Sequence, residues 1–60
     1  MNKVVRILMN RDGIDYEQAR NMVRETKDEI ECAETMQEVD DIIRDYLGLE
    51  PDYLEDILSI

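Results

Sequence analysis

The sequence predicts an all-α fold, three to four short helices in a compact mini-domain covering residues 1–60, and three observations carry that expectation. Apolar residues recur at helical spacing along most of the chain. Between those runs stand helix start and stop signals, two capping boxes and a glycine followed three residues later by proline. Apolar residues make up 43% of the chain and charged ones 38%, a mix too apolar for a disordered polypeptide.

Met1, Val4, Val5 and Leu8 fall at i, i+3, i+4 and i+7 on one face of a first helix, and Ile7 and Met9 widen that face. At helical pitch the apolar arc covers roughly 200°, leaving Asn2, Lys3, Arg6 and Asn10 on the polar side. A face this wide asks for cover on two sides. The protein's own core supplies one and a second subunit the other, so Val4, Val5, Ile7 and Leu8 are the expected dimer interface. The β-branched Val4, Val5 and Ile7 suit a strand as well, which leaves residues 1–10 open between helix and strand.

Asn10 to Gly13 reads as a turn, and Asp15 with Gln18 forms a capping box that opens the second helix. Tyr16, Ala19, Met22, Val23, Thr26, Ile30 and Ala33 keep its apolar stripe for about five turns, making it the longest element. The opposite face carries Arg20, Arg24 and Lys27 among Glu17, Asp28 and Glu31, at spacings that pair Glu17 with Arg20 and Arg24 with Asp28. Thr35 with Glu38 is a second capping box. It places a break at residues 34–35 and a third helix from Met36 to Leu47, with Met36, Val39, Ile42, Ile43, Tyr46 and Leu47 inward. Its outer face is Glu38, Asp41 and Asp45, with Asp40 near Arg44. Gly48 closes that helix in a left-handed conformation while Leu49 folds back toward Ile43. Pro51 opens a fourth helix reaching Leu58, with Tyr53, Leu54, Ile57 and Leu58 inward and Asp52, Glu55 and Asp56 outward.

A chain of 60 residues buries only about 60% of its unfolded surface, so it is expected to be marginal without a support. The single Cys32 makes no internal disulfide, and without histidine no Cys/His cluster exists to bind zinc, which leaves self-association as a homodimer. The net charge of −9 is unevenly placed. Residues 1–30 balance six cations against six carboxylates, whereas residues 31–60 set Arg44 alone against ten carboxylates. Such a field repels nucleic acid and anionic lipid and attracts basic protein surfaces. Arg6 interrupts the early apolar run, no cleavage site follows it and no stretch is long enough to span a membrane, so the expected compartment is the cytoplasm.

Catalytic machinery is hard to assemble from these residues. There is no histidine, no nucleophile beside a base and no glycine-rich phosphate loop, so neither an enzyme nor a cofactor is expected. Asp40, Asp41 and Asp45 lie in a helical pattern without the glycine turn of a calcium loop, so no metal site is expected either. What survives is binding. Glu38, Asp41, Asp45, Asp52, Glu55 and Asp56 are the expected partner-binding residues, presenting carboxylates to a basic protein surface. The plainer reading is that this charge only keeps the protein soluble. Two further readings are a small regulatory or assembly accessory that docks through its apolar first helix, and a helix-turn-helix-like DNA-binding regulator using Arg20, Arg24 and Lys27. Cys32 reads as a small core residue, and Tyr16, Tyr46 and Tyr53 as core-edge residues whose hydroxyls reach water.

The segments Arg-Asp-Gly-Ile-Asp-Tyr-Glu-Gln-Ala at residues 11–19 and Tyr-Leu-Gly-Leu-Glu-Pro-Asp-Tyr-Leu within residues 45–58 resemble parts of small proteins encoded by bacteriophages and prophages of Gram-positive bacteria. In size and style the chain is similar to short, homodimeric anti-defence proteins such as the inhibitor of the Hachiman helicase-nuclease. The resemblance implies an inhibitor of a host defence or nucleic-acid-handling protein, acting in the host cytoplasm. It implies no functional residue.

Overall fold

A computed structural model describes residues 1–60 as four α-helices: α1 (Lys3–Asp12), α2 (Tyr16–Cys32), α3 (Met36–Leu47) and α4 (Leu54–Leu58), the last entered through a 3-10 turn at Pro51–Tyr53. Residues 1–10 contain no strand. Asn2 decides the matter locally: its Oδ1 accepts from the N–H groups of Val4 (2.9 Å) and Val5 (3.3 Å), capping α1. Met1 lies outside the helix and is 70% exposed, so it does not join the apolar face expected of it.

The turn expected at Asn10–Gly13 is instead the last turn of α1, closed by Gly13 in the left-handed region (φ 65°), whose N–H donates to Met9 O at 3.0 Å. Asn10, Arg11 and Asp12 are polar because they face water, and being polar they resemble a loop in sequence. Gly48 closes α3 in the same way, with φ 65° and its N–H on Arg44 O at 2.9 Å. The capping box of α2 forms as expected, Gln18 N–H donating to Asp15 Oδ1 at 2.8 Å and Asp15 N–H to Gln18 Oε1 at 3.3 Å. At α3 the Thr35 hydroxyl accepts from Glu38 N–H at 3.2 Å. The Glu38 carboxylate, however, reaches one residue further back than a box requires, accepting from Glu34 N–H at 2.8 Å. The fourth helix is shorter than expected. Glu50 offers no side-chain cap, and Pro51–Tyr53 settles into the tighter 3-10 geometry.

The core comprises Val4, Val5, Leu8, Ala19, Val23, Ile30, Val39, Ile43, Leu47 and Ile57, all buried. Full burial of each of its large side chains favours folding by about 1.5–3 kcal/mol. Thr26 is the one buried polar side chain, and its hydroxyl donates to Met22 O at 2.8 Å. Helix α1 packs against both α2 and α4 of the same chain. Val4, Val5 and Leu8 are each 0% exposed within the protomer, so three of the four residues expected at a dimer interface have no surface to offer; only Ile7 reaches the edge. The dimensions agree with a compactly folded chain. A chain of 7.1 kDa exposes about 4,100 Å² by the usual mass scaling, and this one exposes 4061 Å².

Polar ties between distant elements complete the fold. Arg11 donates from Nη1 to Leu47 O at 2.6 Å, joining the end of α1 to the end of α3, while its Nε lies 2.9 Å from Asp12 Oδ1. Asn2 Nδ2 donates to Asp56 O at 2.6 Å, joining α1 to α4. Lys3 Nζ stands 5.7 Å from the centre of the Tyr53 ring. Arg11–Asp12 is the only ion pair. Glu17–Arg20, Arg24–Asp28 and Asp40–Arg44, expected from spacing, do not form, in keeping with the small net gain of exposed pairs against side-chain entropy.

Candidate functional site

The end of α2 and one face of α3 flank an open groove of about 320 Å³. Helical periodicity builds it from both sides. At the end of α2, Glu29, Cys32 and the C-cap Ala33 border the groove; on α3, Glu38, Asp41, Ile42, Asp45 and Tyr46 fall at successive three- and four-residue steps along one stripe. The short connection at residues 33–35 folds α2 and α3 into a helical hairpin, which fixes the spacing of the two walls. Ala33, Ile42 and Tyr46 give the groove an apolar part, while Glu29, Glu38, Asp41 and Asp45 place carboxylates around it. No basic residue lines it.

This arrangement corrects part of the inward set expected of α3. Ile42 is half-buried against the core as expected, whereas Tyr46 is 49% exposed on the groove. Met36 at 63%, Leu58 at 44% and, on α2, Tyr16 at 47% are also exposed where burial was expected. Cys32, expected in the core, is exposed on the groove wall.

The electrostatics come from charge and backbone together. Glu38 is held in place by the Glu34 N–H, whereas Asp41 and Asp45 are exposed without a cationic neighbour in bonding range. Helix α2 also directs the negative end of its macrodipole here. It is the one long helix with no basic residue in its last turn; α1 ends with Arg11 and α3 with Arg44. Dipole and carboxylates therefore add at one place. No three of the Cys, Asp and Glu side chains converge into a metal-binding group, so the negative charge is spread along the groove.

Of the six expected partner-binding residues, the structure brings Glu38, Asp41 and Asp45 together here and places Asp52, Glu55 and Asp56 elsewhere, on the 3-10 turn and α4. Glu29, Cys32, Ala33, Ile42 and Tyr46 are neighbours of that acidic stripe outside the expected set. The available signal was the match between the 29, 32, 33 spacing and the 38, 41/42, 45/46 spacing. Among the basic residues of α2, Arg20 and Arg24 are exposed, whereas Lys27 is half-buried and donates to Ile60 O at 3.1 Å. No helix is long and apolar enough to cross a membrane. Compared with known proteins, the chain matches no family model, no curated protein and no solved structure.

Proposed function

We propose that the protein is a non-enzymatic binding module whose acidic α3 face occupies a basic surface on another protein. The observation that carries this reading is the coincidence, in one groove, of four carboxylates, the unneutralised end of α2 and a partly apolar lining free of basic residues. Solubilising charge needs no such concentration beside apolar surface. The resemblance of residues 11–19 and 45–58 to phage and prophage products supports a host defence or nucleic-acid-handling protein as the target class and inhibition as the outcome, in the host cytoplasm. Such targets carry basic surfaces for nucleic acid, and an acidic face competes for them.

The two other readings lose support. Docking through α1 would need Val4, Val5 and Leu8, which are enclosed. DNA binding would have to overcome a net charge of −9, which repels the phosphate backbone. The homodimer expected from sequence would have to use a surface other than the buried face of α1; we favour a monomer. The test is capture of partners from a bacterial lysate at stepped ionic strength. A basic protein that binds in low salt and is released as salt rises supports the reading, whereas retention of nucleic acid by the purified protein at low salt contradicts it.

A further inference from the structure

We propose, resting on the reading of the α3 face as a binding surface, that the groove between α2 and α3 seats one apolar side chain of the partner, flanked by Lys or Arg on the same segment. Two features of the groove make this demand together. Charge complementarity calls for cations, since Asp41 and Asp45 lie one helical turn apart on α3, with the dipole end of α2 opposite. The apolar part calls for something that cations do not supply. Ile42 and Tyr46 remain partly exposed between the carboxylates, and Ala33 across from them keeps the groove open because it has no bulk beyond Cβ. A volume of about 320 Å³ lies at the low end of the ligand-pocket range, which suits an anchor side chain better than a cofactor. The occupant is thus a segment in which an apolar residue sits between basic ones at helical spacing, the helix-in-groove mode of recognition.

Two synthetic peptides of equal positive charge test this, both with lysines at helical spacing, one carrying a central leucine and the other serine in its place. At about 0.15 M salt, where exposed charges are screened beyond about 8 Å, fluorescence anisotropy should find the leucine peptide bound about tenfold or more tightly, as burial of one such side chain predicts. Alkylating the exposed Cys32 with a bulky maleimide should cut the affinity for the leucine peptide to near that for the serine peptide, with the circular dichroism spectrum unchanged. Equal affinities, or binding of the leucine peptide indifferent to the Cys32 adduct, would overturn the anchor while leaving the acidic-surface reading standing. Failure of both peptides to bind even at low salt would overturn both. A dimer of the unmodified protein that Cys32 alkylation splits would assign the groove to a second copy and also overturn the proposal.

Discussion

Gly13 and Gly48 share a φ of 65°, but they stand in different surroundings, and the contrast isolates what Arg11 does. A Cβ on Gly13 would meet nothing within 4 Å, whereas one on Gly48 would stand 3.3 Å from Arg11 Nη1, the atom that donates to Leu47 O. Gly13→Ala should therefore cost only the left-handed strain, roughly 1–2 kcal/mol. Gly48→Ala should add about 0.5–1.5 kcal/mol for weakening the Arg11 bond. Urea denaturation of the two variants reads the difference, which should vanish in an Arg11→Met background. At the same residue, the hydrogen bond from Arg11 holds the Asp12 carboxyl below its ordinary value of 3.8. A depressed carboxyl stabilises the fold above its unfolded pKa and loses that contribution as pH falls through its folded pKa, so the Asp12 contribution is in full force at neutral pH and is lost only in acid. NMR titration should place the Asp12 midpoint below 3.8, and Arg11→Gln should raise it. Gly48 was legible in sequence because a glycine ending an apolar stripe, with Pro51 three residues on, is local chemistry. Arg11 was not legible: its partner lies 36 residues away and leaves no mark on the spacing around it.

Elements show the same division. The starts of α2 and α3 were readable because their caps are local, Asp15 with Gln18 and Thr35 with Glu38. The cover of α1 was not, since it depends on α4, a five-residue helix that has no stability of its own and is placed by tertiary contacts. Asn2 shows how α4 is held, one side chain capping α1 and also donating to Asp56 O. Asn2→Ala should cost about 1–2 kcal/mol, losing cap and tie together. Asn2→Ser keeps a capping oxygen but is too short to reach Asp56, and should recover about half of that loss in thermal denaturation. Both variants should speed amide exchange in α4 more than in α2, because only the tie to Asp56 touches α4.

At the scale of the whole molecule, the chain is as compact as a folded domain of its length. Its radius of gyration is 10.6 Å, against about 10.4 Å from the usual scaling. Because α1 buries Val4, Val5 and Leu8 within the protomer, the monomer we propose predicts 7.1 kDa by equilibrium sedimentation at micromolar concentration, and a stable dimer would contradict it. The acidic half of the candidate site was legible because charge survives any folding. The apolar half was hidden, because Ile42 and Tyr46 fall on the apolar stripe of α3 and only the packing of α2 against α3 shows which of that stripe borders the groove. The claim that matters most is that one acidic face, and not net charge, does the binding. Two triple variants separate them, one with Glu38, Asp41 and Asp45 changed to Lys and one with Asp52, Glu55 and Asp56 changed to Lys, which alter the net charge equally. Calorimetric titration of each against the captured basic partner should find binding lost in the α3 variant and kept within a few-fold in the α4 variant; equal losses in both, or a loss confined to α4, would contradict the account.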